Sequence, residues 1–236
     1  MRKDTLRALN AARHAGRAVV RAIDLATGEE RLIDPSSPAN ELERAAAAAA
    51  RADRSEPVEI DGRIWFLSVQ NPPLDLVLIG AVHIAQPLSQ IAALAGYGVR
   101  IMDPRQVFAT AARFPGVSLS HDWPDEALTK APLGPRSALV ALSHDPKFDD
   151  PALVMALRSP CFYIGALGSK KSHAARLARL RAQGFDDEDM KRIHGPVGLT
   201  IGARSPAEIA ISILAEMTLK LRADGGWERF AVRAQA

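Results

Sequence analysis

The stretch Leu76–Ala85, LVLIGAVHIA, decides how the rest of the chain is interpreted. Branched apolar residues from Leu76 to Ile79 end abruptly at Gly80, and a helical pattern of apolar residues then begins. A buried parallel strand that turns tightly into a helix has this pattern, and the free N–H groups at the start of such a helix favour an anion. The stretch therefore predicts the first strand–turn–helix unit of a nucleotide-binding type of fold.

The turn keeps only part of the dinucleotide fingerprint Gly-x-Gly-x-x-Gly. Gly80 stands at the first glycine, whereas Val82 occupies the second place and Ala85 the third. Gly80 can supply the turn, and Ala85 is small enough for close packing of the helix on the strand. Val82, however, carries a side chain where the backbone approaches a pyrophosphate most closely. The turn thus supports a Rossmann-like fold and weakens the case for ordinary NAD binding.

Strands and helices alternate after residue 74, with further strands predicted at 99–102, 117–119, 138–142 and 161–164. This rhythm predicts an α/β domain over residues 74–222, with a parallel sheet and helices on both faces. Asp150-Pro151 is interpreted as the start of a helix, with an acidic cap and proline at the first position. Ser205-Pro-Ala-Glu208 is a capping box that begins the last helix, after a short apolar piece at 197–201.

Residues 1–70 are predicted to form a small α+β domain with the order αββαββ. Its last two strands form a hairpin around Asp61-Gly62, and Asn71-Pro-Pro73 follows as a stiff linker. Residues 223–236 are expected to be a C-terminal tail.

Bulk properties exclude several classes of protein. The net charge of +3 over 236 residues is too small for a chain built to bind nucleic acid. The single cysteine, Cys161, excludes an internal disulfide, and its apolar surroundings favour a packed core residue over a nucleophile. No apolar run approaches the ~20 residues that span a bilayer, and no apolar signal segment follows Met1. We therefore expect a cytoplasmic protein with neither a membrane partner nor a metal site of its own.

Candidate binding residues follow from one rule: in an open parallel sheet, ligands bind at the carboxyl ends of the strands. Four segments follow predicted strands and carry polar or glycine residues. The candidate cofactor-binding residues are Gly80, Ala81, His83, Asp103, Arg105, Ser143, His144, Gly165, Gly168, Ser169, Lys170 and Lys171.

The first of these candidates have structural alternatives. His83 either donates a hydrogen bond to a ligand or caps the helix. Asp103 lies 23 residues after Gly80, close to the ~20 expected for an acid that binds ribose, but it could also form an Asp-Pro turn. Arg105 could hold Asp103 in place or contact a ligand phosphate.

Ser143-His-Asp145 either binds a ligand or terminates a buried strand. A Ser-His-Asp catalytic triad is disfavoured, because neighbours at a strand end point in alternate directions.

The segment from Gly168 to Lys171 is the most informative. Lys170 and Lys171 are predicted in the first turn of a helix, where the helix dipole disfavours cations. Two lysines at this end indicate that an anion such as phosphate shares the site. The alternative is a solvated basic helix face, an interpretation that suits Arg176 and Arg179 better than the two lysines.

Four motifs together resemble the XdhC/CoxI family of xanthine dehydrogenase accessory proteins, which also accompany carbon monoxide dehydrogenases. They are GAVHIA (80–85), DPR (103–105), IGALGSKK (164–171) and IHGPVGLTIGARSPAEIA (193–210). The resemblance covers residues 74–222 and implies a Rossmann-like domain, a homodimer, and a chaperone of the molybdopterin-type molybdenum cofactor without turnover of its own.

Such a chaperone would protect the cofactor during sulfuration, with a cysteine desulfurase as a further partner. It would then deliver the cofactor to a molybdenum hydroxylase apo-enzyme of the xanthine or CO dehydrogenase type. The chain departs from the family pattern at Val82, where glycine is usual, and at Thr200, where aspartate is common. Its first 70 residues also lack the family's cysteine-containing segment.

Two other functions remain open at this point. An NAD(P)-dependent oxidoreductase is supported by Asp103, but Val82 and the lack of a clear proton donor weigh against it. A non-catalytic assembly protein with an empty Rossmann site is the third possibility.

Overall fold

The computed structural model describes residues 3–222, which divide into two compact units. Residues 3–72 and Arg222 belong to the first, and Pro73–Leu221 form the second. Along the chain the first unit contains α1 (Lys3–His14), β1 (Val19–Asp24), β2 (Glu30–Ile33), α2 (Glu41–Ala52), β3 (Glu56–Ile60) and β4 (Arg63–Gln70).

The first unit is an antiparallel sheet in the order β2-β1-β4-β3, packed against α2. Asn40 begins α2 by accepting the Glu43 N–H, and the run of alanines that follows lets the helix approach the sheet closely. Alternate residues of each strand enter the core, so Trp65 is buried while Phe66 is only partly buried. The predicted αββαββ order is confirmed.

The second unit contains six strands and six helices within residues 73–222. They are β5 (Leu74–Ile79), α3 (Ala85–Leu94), β6 (Tyr97–Met102), β7 (Ser118–Ser120), α4 (Pro124–Lys130), β8 (Ser137–Ala141), α5 (Pro146–Leu157), β9 (Tyr163–Ala166), α6 (Lys170–Ala182), α7 (Asp187–Lys191), β10 (Ile193–His194) and α8 (Pro206–Arg222).

All neighbouring strands of this second sheet are parallel, in the order β10-β9-β8-β5-β6-β7. The chain starts in the middle at β5, builds β6 and β7 on one side, and then returns to build β8, β9 and β10 on the other. This is the strand order of the Rossmann fold, and it places the switch point between β5 and β8. The predicted Rossmann-like sheet is confirmed.

Helices cover both faces of the sheet. Leu76 and Leu78 of β5 face a core shared with α3 and α8, whereas Val77 and Ile79 face a core shared with α4, α5 and α6. The central strand β5 is therefore apolar on both sides, which explains why its continuous apolar run indicated a buried parallel strand. Helices α3 and α6 consequently reach the carboxyl edge of the sheet from opposite faces.

One local prediction is wrong. Helix α5 begins at Pro146 rather than at Asp150-Pro151, because Asp145 caps it by accepting the Lys147 N–H at 2.9 Å. Pro151 lies inside this helix and leaves one turn without its hydrogen bond. Strand β10, Ile193–His194, was not predicted. Two residues are too few for a periodic signal, and pairing with β9 alone defines this strand.

Within residues 3–222, no helix combines the length and apolar character needed to cross a bilayer. The proposed C-terminal tail, 223–236, lies outside the described residues.

Candidate site at the carboxyl edge of the parallel sheet

The turn after β5 contacts the turn after β8 at the switch point. Gly80 has a φ of +101°, and a Cβ atom placed on it would lie 3.0 Å from the backbone and side chain of Ser143. A side chain is thus disfavoured here both by the backbone conformation and by the neighbour. Glycine is therefore required at this position both by its left-handed backbone and by the close packing of the two turns.

Asp103 and Arg105 fix the turn from the side of β6. One Asp103 carboxylate oxygen accepts the Ala81 N–H at 2.8 Å, and Arg105 donates to both oxygens at 2.9 Å. Asp103 is only 1% exposed. Burial raises the pKa of its carboxyl, but the hydrogen bonds from Arg105 and the Ala81 amide outweigh this and leave the pKa below its ordinary value. Its oxygens therefore hold the protein's own turn and are not presented to a ribose.

Free N–H groups remain at the start of α3. The N–H groups of Val82, His83 and Ile84 donate to no acceptor within residues 3–222. The Ala81 carbonyl oxygen accepts a hydrogen bond from Arg113 Nη1 at 2.9 Å. Both backbone polar groups of Ala81 are thus bonded to side chains, the N–H to Asp103 and the carbonyl to Arg113. His83 is exposed at this turn. The arrangement leaves a rigid row of amides at the positive end of the helix dipole.

Ser143 terminates β8 and does not form a catalytic triad. Its hydroxyl donates to Asp149 Oδ1 at 2.6 Å and accepts the Asp145 N–H at 3.1 Å. His144 is exposed, and it adopts a left-handed backbone conformation, with a φ of +61°, in the turn between Ser143 and Asp145. The partner of the serine is thus an aspartate one helical turn into α5 rather than the adjacent histidine.

The amino end of α6 is strongly basic. Ser169 caps the helix by accepting the Ser172 N–H at 3.1 Å, and the first turn contains no acidic residue. Lys170 and Lys171 are exposed, and neither forms an ion pair within the described part of the chain. The N–H groups of these two residues are also free, because the first turn of a helix has no internal acceptors.

Arg176 lies beneath this basic end, and its interpretation as part of a solvated face is wrong. It is only 4% exposed, because it lies four residues before buried Leu180 on the same side of α6. Its Nη2 donates to the Leu167 carbonyl oxygen at 2.8 Å and lies 3.8 Å from Asp149 Oδ2. Arg179, by contrast, is partly exposed and donates to both oxygens of Asp150.

The guanidinium of Arg176 is incompletely satisfied. Its Nε and Nη1, together with Asp149 Oδ2 and His173 Nδ1, are buried without a hydrogen-bond partner in the described structure. Burial lowers the pKa of Arg176 and of His173 and raises that of Asp149. Unsatisfied buried polar atoms are rare in native proteins, so this cluster is a candidate part of the site. The sequence signal for this cluster is the pair of acidic residues 149–150 and the spacing from Arg176 to Leu180.

Gly165 is not available to a ligand in this arrangement. It lies within β9 rather than in the following loop, and a Cβ atom there would lie 2.6 Å from Val197 Cγ2. The space above Gly165 is therefore filled by the segment 195–205, which crosses the carboxyl end of β9. Gly168 lies in the loop before α6, as predicted, at a φ of +144°.

A buried network that the sequence analysis missed holds this segment. Glu216 of α8 accepts hydrogen bonds from the Tyr163 hydroxyl and from the Gly198 N–H, the latter at 2.8 Å, and lies 3.3 Å from His194 Nδ1. The Tyr163 and His194 rings stack with centroids 4.7 Å apart. Burial and hydrogen bonding to Glu216 raise the pKa of Tyr163, so this hydroxyl is a donor at any physiological pH. The four residues lie on β9, β10, the segment and α8, so only tertiary structure brings them together.

The candidate residues thus occupy one edge of the sheet. The carboxyl ends of β5 and β9, which lead into α3 and α6, are separated by β8 and so lie about 10 Å apart, two strand spacings. Among residues 3–222, no three His, Cys, Asp or Glu side chains are grouped so as to hold a metal ion. The edge offers an anion the free amides at the start of α3, and the amides and two lysines at the start of α6.

Comparisons with known proteins agree with this architecture. The model of the XdhC Rossmann domain matches residues 76–217. A crystal structure of a xanthine dehydrogenase from Bacillus halodurans aligns with a TM-score of 0.71 at 23% identity, covering 97% of this chain and 70% of that one. At this identity the structural match shows the fold alone.

Three curated relatives extend the comparison. The uncharacterized protein YqeB of Escherichia coli K12 is 36% identical over 68% of this chain and 30% of its own length. A probable xanthine dehydrogenase subunit from Bacillus subtilis is 32% identical over 64% of this chain, and the molybdenum cofactor insertion chaperone PaoD of Escherichia coli K12 is 32% identical over 62%. The chain covers 44% and 40% of their lengths, respectively. It spans less than half of each of these three relatives.

The family model covers more than half of the chain, and the six-stranded sheet has the order that its name implies. The chain therefore belongs to the XdhC family.

Proposed function

We propose that this protein binds the molybdenum cofactor, shields it during sulfuration and delivers it to a molybdenum hydroxylase of the xanthine or CO dehydrogenase type. Its relative PaoD is a molybdenum cofactor insertion chaperone, which supports the proposal. The observation that carries it is the amino end of α6, where two lysines without an ion pair in residues 3–222 lie with free amides above an unsatisfied buried arginine.

The charge distribution at α6 favours a bound anion. The helix dipole places roughly half a positive charge at this end, and Lys170 and Lys171 add to it without a compensating carboxylate in the first turn. Arg176 contributes a third positive charge, which Asp149 balances only at 3.8 Å. Such a concentration of positive charge costs stability in the free protein and is relieved by a phosphate.

The residues fit a phosphorylated cofactor better than NAD(P). Gly168, Ser169, Lys170 and Lys171 would hold the phosphate. The amides of Val82, His83 and Ile84 form a second anion-favouring place across β8. Dinucleotide binding is disfavoured, because Val82 replaces a glycine and the oxygens of Asp103 are already bonded.

The cofactor supplies redox chemistry to the client enzyme, whereas this chain's residues bind it and exclude water. On this proposal the protein is a cytoplasmic homodimer without turnover of its own. Its partners are the apo-hydroxylase and a sulfur-donating cysteine desulfurase.

The test replaces Lys170 and Lys171 by glutamate together. Purified protein is titrated anaerobically with molybdenum cofactor and, separately, with NAD(H). Wild type should retain the cofactor and not NAD(H). The double variant should weaken retention by about tenfold or more, since each reversal at ~4 Å from a phosphate is worth on the order of 1 kcal/mol or more. Both lysines are exposed, so the melting temperature should hardly change.

The matched control is Lys191→Glu with Lys220→Glu, which changes the net charge equally. Lys191 precedes β10 and Lys220 is near the end of α8, so both lie away from the carboxyl edge. Equal weakening in the two double variants would remove the α6 lysines from the site. Micromolar retention of NAD(H) without any of the cofactor would refute the proposed function, and retention of neither would favour a non-catalytic assembly protein.

A further inference from the structure

A buried arginine lies directly against the loop that leads into α6. A Cβ atom placed on Gly168 would lie 3.8 Å from Arg176 Nη2, and the same nitrogen donates to the Leu167 carbonyl oxygen at 2.8 Å. Arg176 is only 4% exposed, so solvent screens its charge poorly. The positive charge of Arg176 is therefore felt by an anion at the amino end of α6.

Asp149 is close enough to neutralise this arginine but makes no hydrogen bond to it. Asp149 Oδ2 lies 3.8 Å from Arg176 Nη2, beyond hydrogen-bond distance, and it has no partner among residues 3–222. A displacement of about 1 Å would give a charge-assisted hydrogen bond of ordinary length. The open pair is unusual, because buried arginines and aspartates are rarely found unless they are paired.

Ser143 ties the Asp149 carboxylate to the turn after β8. The Ser143 hydroxyl donates to Asp149 Oδ1 at 2.6 Å, and the Ser143 backbone N–H donates to the same oxygen at 3.3 Å. The hydroxyl also accepts the Asp145 N–H at 3.1 Å, which fixes it within the turn. One carboxylate oxygen is thus held by the turn, while the other faces Arg176 without a bond.

We propose that Ser143 and Asp149 are positioning residues for the anion site at α6. Ser143 keeps Asp149 from closing on Arg176, and the arginine charge that is left unneutralised strengthens the binding of an anion at the amino end of α6. The inference rests on the part of the proposed function that places an anion there. Ser143 follows β8 and α6 follows the neighbouring strand β9, so the effect passes from one strand end to the next.

The test is a titration of the intact chain with inorganic phosphate at neutral pH, followed through the NMR shifts of the amides of residues 169–171. Wild type should show saturable shifts. Ser143→Ala lets the carboxylate approach Arg176 and should raise the phosphate Kd by about threefold or more. Asp149→Asn keeps an acceptor for Ser143 but removes the negative charge, so it should lower the Kd by about threefold or more.

A double variant separates positioning from a loss of packing. Once residue 149 carries no charge, the serine has no carboxylate to restrain. Ser143→Ala combined with Asp149→Asn should therefore bind phosphate within about twofold of Asp149→Asn alone. Asp150→Asn is the matched control, because it removes the same charge from the next residue, which pairs with the partly exposed Arg179. It should leave the Kd within about twofold of wild type.

Weaker or unchanged binding in Asp149→Asn would overturn the inference, as would a Kd that Ser143→Ala leaves unchanged or raises equally in both backgrounds. Circular dichroism shows whether each variant is folded, and if Asp149→Asn does not fold, the result for Ser143→Ala decides alone. Wild type without saturable shifts at residues 169–171 would remove the anion site and the inference with it. Failure of the proposed function alone would look different: the variants would change the phosphate Kd as described, while wild type would retain no molybdenum cofactor.

Discussion

Replacing Gly80 by alanine tests whether the switch point depends on a close contact between two turns. At a φ of +101° an alanine incurs the cost of a left-handed backbone, about 1–3 kcal/mol. Its Cβ would also lie 3.0 Å from the N, Cα and Cβ atoms of Ser143. Backbone atoms cannot move aside as a flexible side chain can, so overpacking adds about 1–3 kcal/mol. We expect a total loss of about 2–6 kcal/mol in the free energy of unfolding.

Gly96→Ala separates the two contributions. Gly96 follows α3 in the same unit with a φ of +88°, but a Cβ atom there meets nothing within 4 Å. This variant should lose only the backbone component, about 1–2 kcal/mol.

The measurement is a urea titration in which unfolding is followed by hydrogen exchange of peptides from β5 and β8. The unfolding transition that is measured then belongs to the second unit. If Gly80→Ala loses no more than Gly96→Ala, the contact between the two turns does not limit the residue at position 80, and the explanation fails.

Two further predictions concern charges and hydrogen bonds in the second unit. The pKa of Asp103 lies below its ordinary value of 3.8, so its contribution to stability is present above that value and is lost as the pH falls through the folded-state pKa. Asp103→Asn should therefore be less stable than wild type at pH 7, and the difference should shrink in urea titrations below about pH 4; a constant difference down to pH 2 would contradict it. Tyr163→Phe removes the buried hydroxyl that donates to Glu216 and should cost about 1–3 kcal/mol, measured as a lower melting temperature. An unchanged melting temperature would show that this hydrogen bond adds nothing to the anchoring of the segment 195–205.

The sequence predicted where most of the candidate residues lie, because polar residues follow apolar strands. Gly80, Asp103, Ser143 and the basic segment 168–171 each stand directly after or near a strand end, and parallel strands bring such ends to one edge. What each residue does there was less predictable. The sequence left open whether Asp103 binds a ribose or forms a turn held by Arg105. The structure shows Asp103 bonded to Arg105 and to the Ala81 N–H, a partner 22 residues away that no local pattern indicates.

The sequence by itself determined the two-unit αββαββ and Rossmann-like architecture, since apolar periodicity and turn residues are local signals that a single chain carries. Only the tertiary structure decided that Arg176 is buried, that Val197 covers Gly165, and that Phe148 packs against Arg105 and Trp123. These features join residues from different strands and helices, and their burial and contacts arise from packing across the sheet. No spacing along the chain encodes such contacts. The edge of the sheet where the candidate residues lie could therefore be predicted from sequence, whereas the burial of Arg176 and the packing of Phe148 against Arg105 and Trp123 could not.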